Sequence, residues 1–131
     1  MRSRGQSFFL YLLPSIVWTV VLLALMVSPA SGYPSSQVTG SDLVIHFFLF
    51  GIWGFLMCQG FYKQAHLPVL KFHRGFFALG LGTLLAFGTE AVQGFFLWDR
   101  AASIWDYVAD IAGVLVGLQI FEKMLRQSRN R

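Results

Sequence analysis

Charge is scarce in this chain. Asp, Glu, Lys and Arg make up 12% of its 131 residues, about half the ~25% of a soluble domain. That shortage excludes an ordinary water-soluble globule and points to a bilayer as the solvent. Cysteine is nearly missing. Cys58 stands alone inside an apolar run, so no intramolecular disulfide can form and the redox compartment is left unread. A small buried hydrophobe is its plain role. Catalytic punctuation is lacking too. There is no phosphate-cradling glycine loop, no GxSxG serine elbow and no HExxH pair. No nucleotide, cofactor or metal is implied by any compact motif.

What is present is apolar bulk in one domain's length of chain. Hydrophobic residues reach 56%, phenylalanine occurs 14 times and the mean hydropathy is +0.61. A spanning helix needs about 20 mainly apolar residues. Four runs qualify, at about 8–27, 43–62, 75–97 and 104–122. Between them lie SPASGYPSSQVTGSD (28–42), KQAHLPVLKFHR (63–74) and WDRAAS (98–103). The first is rich in Pro, Gly and Ser, as loops are. None is long enough for a separate soluble domain. The expected fold is all-α: a polytopic integral membrane protein with four transmembrane helices.

The basic residues orient it. Arg2 and Arg4 precede the first span; Lys63, Lys71 and Arg74 lie between the second and third; Lys123, Arg126, Arg129 and Arg131 follow the fourth. With four spans these nine fall on one side, and only Arg100 falls on the other. Positive residues are retained in the cytoplasm. Both termini and the 63–74 loop are therefore expected to be cytoplasmic, in a multi-pass protein of the cell membrane. Topology accounts for the net charge of +4, and a nucleic-acid partner is unnecessary. A second reading of the first run, as a signal peptide cut near Ala30, leaves the orientation of the rest unchanged.

The acids behave differently. Asp42, Glu90, Asp99, Asp106 and Asp110 gather on or near the opposite, extracytoplasmic side, and only Glu122 lies inside. Carboxylates contribute little to topology, so their gathering needs another cause. Residues three or four apart share a helix face. Asp42 and His46 pair in this way on the second span, and Glu90 and Gln93 on the third, where Ala86, Thr83 and Leu79 continue the stripe. On the fourth, Asp106 and Asp110 pair, followed by Gly113 and Gly117, small residues that let a neighbouring backbone come close. Gly80 and Gly82 are expected to ease packing of the third span.

Ser103, three residues before Asp106, fits a helix N-cap in a capping box with Asp for the usual Glu or Gln. Asp106 can be explained as a first-turn complement to the helix dipole. Asp110 lies about 6 Å deeper and Glu90 about 10 Å below the end of its span. A carboxylate there costs a few kcal/mol unless it is paired, protonated or wet. Arg100 is the natural cation, able to grip a carboxylate with two parallel N–H bonds, and His46 is the other candidate partner. Two readings stay open: a polar network that fixes helix packing, and a site opening to the outer leaflet. One histidine with carboxylates can ligate zinc. Loop histidines His66 and His73 read as solvated. Trp98 and Trp105 read as interfacial anchors.

These residues together resemble the VanZ-like family of small membrane proteins. The resemblance covers about residues 42–117 and rests on Asp42-x-x-x-His46 before an aromatic, Glu90-x-x-Gln93, Arg100-x-x-Ser103-x-x-Asp106 and the glycine at 113. Position 110 departs, carrying Asp where the family usually has Asn, which adds an ionisable group to the same face. The resemblance implies a membrane protein of the cell envelope, connected through the family name to resistance to the glycopeptide teicoplanin. It supplies no reaction. The expected partners are membrane lipids, with a lipid-linked envelope intermediate or a glycopeptide as the group recognised, and homo-oligomers are compatible with the fold. On this reading Asp42, His46, Glu90, Gln93, Arg100, Ser103, Asp106 and Asp110 form a ligand-binding or polar network. His46 and Glu90 are the candidate catalytic pair, and Gly113 and Gly117 serve helix packing. The alternatives are an enzyme acting on an envelope lipid or glycan, a non-catalytic membrane scaffold, and a transporter that would need to oligomerise to enclose a path.

Overall fold

In a hydrocarbon environment each backbone N–H and C=O must be satisfied within its own segment, which makes helices the natural answer to long apolar runs. The computed structural model describes residues 4–27, 40–96 and 103–131. They form α1 (Arg4–Val27), α2 (Gly40–Tyr62), α3 (Pro68–Phe72), α4 (Arg74–Phe96) and α5 (Ile104–Arg129), with no strand among the described residues. Four of these are long and apolar enough to cross a membrane: α1, α2, α4 and α5. Large apolar side chains such as Phe9, Phe48, Phe76 and Phe95 point outward, the inverse of a water-soluble bundle and the arrangement that lipid tails accept.

Two element boundaries differ from expectation. The 63–74 connection contains the short helix α3, started by Pro68, whose ring fixes φ and whose missing N–H costs nothing in a first turn. Helix α5 runs on to Arg129 rather than fading near 122. Its last turns hold Lys123, Met124, Leu125, Arg126 and Gln127, all good helix formers. Arg126 and Arg129 also complement the negative end of the dipole.

The bundle is centred on α2 and α5. Gly113 and Gly117 are buried on α5, and each presses on α2 backbone. A Cβ on Gly113 would strike the carbonyl of Phe47 and come within 3.0 Å of Gly51 N. A Cβ on Gly117 would strike the carbonyl of Gly51 and come within 2.9 Å of Phe55 N. Val114, between them, packs against Gly54 of α2 and Gly82 of α4, so α5 is wedged between the two. Gly80, by contrast, faces open space. The buried stripe of α4 runs Ala78, Gly82, Ala86, Glu90, an i, i+4 row. The expected Thr83 and Leu79 lie beside it, half-buried. The small side chains of the observed row let α5 come close.

Helix α1 is pinned by two indoles. Trp18 Nε1 donates to the Leu49 carbonyl at 2.9 Å, and Trp53 Nε1 donates to Thr19 Oγ1 at 2.8 Å. Cys58 is fully buried in the core. At the end of the bundle that holds α3, Arg74 grips Glu122 with two bonds of 2.7 Å and donates a third to the Lys71 carbonyl. The same guanidinium lies over the rings of Tyr62 and Phe121.

Candidate functional site

The opposite end of the bundle is where α2 and α5 begin and α1 and α4 finish. His46 enters there from the second turn of α2 and is 2% exposed. Its Nδ1 lies 2.9 Å from Asp110 Oδ1, and Asp110, on α5, has no exposed surface. An ionised carboxylate can only accept, so in that state the proton sits on Nδ1 and a neutral ring keeps a lone pair on Nε2. Residues 46 and 110 are 64 positions apart. The close α2–α5 packing at Gly51, Gly113 and Gly117 brings them together.

Glu90 arrives from α4 and is also buried. Its Oε2 accepts the backbone N–H of Ser103 at 2.8 Å. Ser103 in turn is the N-cap of α5, with extended backbone, and its hydroxyl accepts the N–H of Asp106 at 3.4 Å. The capping half of the expected box is therefore present. The N–H of Ser103, however, is taken across the bundle by Glu90. The first amides of a helix lack intrahelical partners and carry the positive end of the dipole. A carboxylate from α4 placed there offsets part of its own burial cost.

One ligand atom from each of His46, Glu90 and Asp110 can be chosen so that all lie within 4.8 Å of one another. Two carboxylate oxygens in this group, Glu90 Oε1 and Asp110 Oδ2, are buried without a hydrogen-bond partner among the described residues. Buried polar atoms left in that condition are uncommon, and each calls for an explanation. The constellation holds an imidazole, two carboxylates and spare acceptor capacity in a closed space. It can exchange a proton, accept hydrogen bonds from a ligand or hold a cation.

The remaining candidates fall around it. Asp106 is buried one turn before Asp110 on the same helix. Gln93 is buried on α4, but its amide reaches away to donate to the Met26 carbonyl at 2.9 Å, capping the last turn of α1. Asp42 is half-buried in the first turn of α2, one turn before His46. Arg100, with Trp98 and Asp99, lies outside the described residues, as does Ala30. Trp105 is exposed at the start of α5, and His66 and His73 are exposed beside α3.

Three features escape a reading by residue type. Among the described residues, Glu90 is bonded by a main-chain N–H, which no inventory of side chains contains. The tryptophan clamps on α1 join helices whose register the sequence does not specify. Arg74 reads as a topology signal, yet it closes an ion pair with Glu122; the hint was that Glu122 is the lone acid in a basic region. With the geometry in place, comparison with known proteins adds no name: no family model, no curated protein and no solved structure matches the chain.

Proposed function

We propose that this chain is a VanZ-like membrane protein of the cell envelope. Its polar cluster recognises a polar or lipid-linked group at the outer leaflet, in keeping with a role in glycopeptide resistance. Both termini and the Arg74 end face the cytoplasm, and the His46 end faces out, following the nine basic residues on one side. One observation carries the reading: His46, Glu90 and Asp110, from three different helices, meet near one end of the bundle with two carboxylate oxygens unsatisfied. A network that served packing alone would gain by closing those bonds, since an unmet buried acceptor costs ~1–3 kcal/mol. Arg100 supplies the cation for an anionic group, with Asp42, Ser103 and Asp106 orienting or completing the site. Glu90→Gln and Arg100→Lys keep size and most packing. Expression of each variant in a host lacking the protein, followed by teicoplanin susceptibility and an inventory of envelope lipids, tests the proposal. Loss of the wild-type effect in both supports it. Two folded, inserted variants with the full effect would favour a scaffold instead.

The His46–Asp110 bond favours a second reading, an enzyme. A base held in one tautomer by a buried acid is the arrangement that general acid–base catalysis uses. In that role His46 transfers the proton, Asp110 positions it and Glu90 acts as the complementary acid. A lipid or glycan covalently changed in the presence of wild type, and unchanged with His46→Ala, would establish this reading.

A further inference from the structure

We infer that His46, Glu90 and Asp110 form a binding site for a divalent transition-metal ion of the zinc class. The inference requires that the cluster be a site rather than a packing network, but not that it recognise any particular envelope group.

The donor set is the first ground. A neutral imidazole nitrogen and two carboxylate oxygens suit zinc, which binds His at about 2.0–2.1 Å and Asp or Glu at about 2.0–2.2 Å. Ligand atoms around a tetrahedral ion of that size stand ~3.4 Å apart. Here one ligand atom from each residue lies within 4.8 Å of the other two, with His46 Nδ1 and Asp110 Oδ1 at 2.9 Å.

The second ground is independent of residue type. Glu90 is 7% and Asp110 0% exposed, and each keeps one buried oxygen without a hydrogen-bond partner among the described residues. Their other oxygens are committed, Glu90 Oε2 to the Ser103 N–H and Asp110 Oδ1 to His46 Nδ1. Glu90, with one oxygen anchored by the main chain and the other bare, is oriented as a supported metal ligand is. At the His46–Asp110 contact the ion would take the place of the shared proton, with Nδ1 as the ligand and the ring's own proton on Nε2.

Charge is the third. Two carboxylates beside a neutral imidazole carry a charge of −2 inside an apolar bundle, where each uncompensated charge costs several kcal/mol. A divalent ion cancels it. Arg74 cannot, because it is engaged with Glu122 at the other end, and Arg100 is the cation that the recognition reading gives to an anionic ligand. Three protein ligands leave a fourth position open, as in zinc sites that bind water or substrate. A metal here would give the cluster an electrophile for a phosphate or carbonyl oxygen. The three ligands come from α2, α4 and α5, so no local sequence motif announces them.

The test uses the full chain in detergent, with His66→Ala and His73→Ala introduced to remove the exposed imidazoles. The protein is equilibrated with zinc, desalted and analysed by mass spectrometry for metal. One zinc per chain is expected, bound at least about tenfold less tightly in Glu90→Gln and in Asp110→Asn. Cobalt substitution provides a reading that needs no site variant: visible d–d bands of nitrogen and oxygen coordination are expected. Background metal content, a cobalt spectrum like that of the free ion, or equal zinc in folded site variants each overturns the inference. If Glu90→Gln abolishes the envelope effect while the parent protein binds no zinc, the metal site is wrong and the recognition reading stands. If zinc binds as expected but Glu90→Gln leaves the envelope effect intact, the metal site stands and the recognition reading falls.

Discussion

Gly117→Ala is the sharpest test of how the site is assembled. The added methyl would meet the Gly51 carbonyl and Phe55 N, at 2.9 Å for the latter. Both are main-chain atoms of α2, so no rotamer change can make room. The two helices must separate by at least several tenths of an ångström, and forced overpacking of this kind costs ~1–3 kcal/mol. Alanine also lowers the intrinsic cost of a helix by about 1 kcal/mol relative to glycine. Gly80→Ala isolates that second effect, because a Cβ at Gly80 meets nothing within 4 Å. The propensity gain is common to both variants and cancels in the comparison. Gly117→Ala should therefore be less stable than Gly80→Ala by ~1–3 kcal/mol. Reversible unfolding of the purified proteins in mixed micelles, followed by far-UV circular dichroism, measures the gap. Equal stabilities would refute the close α2–α5 crossing, and with it the means by which His46 and Asp110 meet.

Other outcomes follow from single contacts. Ser103→Ala removes the hydroxyl that accepts the Asp106 N–H and should cost ~1 kcal/mol in the same unfolding measurement, whereas Ser103→Thr should recover most of it. Glu122→Gln removes the charge of the pair with Arg74 while leaving the other contacts of Arg74 in place, and Glu122 is 34% exposed. With that screening the loss should be under ~1 kcal/mol and should shrink as salt is raised. Trp53→Phe deletes the bond to Thr19 Oγ1 and should loosen α1. Faster amide exchange in α1 than in α5 would show this, and unchanged exchange would count against the clamp.

Much of this architecture is legible in the sequence because hydrocarbon is an exacting solvent. Apolar runs of spanning length have one backbone solution, and four such runs are legible from length and composition alone. The face that carries Asp106, Asp110, Gly113 and Gly117 is legible for a similar reason: spacings of three and four residues stack side chains on any helix. What spacing cannot give is the register between helices. Nothing in the sequence says that Gly113 meets Gly51 rather than Gly54, or that the α4 stripe passes through Gly82 and Ala78 rather than Thr83 and Leu79. Backbone donors are hidden for a different reason. Glu90 reads as a buried acid in search of a cation, and among the described residues it accepts from the amide of Ser103, a group that every residue type except proline offers.

The convergence of α2 and α5 at His46 and Asp110 is the claim on which the site depends. Disulfide trapping tests it directly. In a Cys58→Ala background, His46→Cys and Asp110→Cys are introduced together, the membranes are oxidised, and trypsin is used to cut the exposed connection at Lys63. The two halves should stay joined on a non-reducing gel and part on reduction. A pair combining Ile45→Cys, on the outward face of α2, with Asp110→Cys should separate under both conditions. Separation of the 46–110 pair without reductant, or equal joining of both pairs, would contradict the convergence.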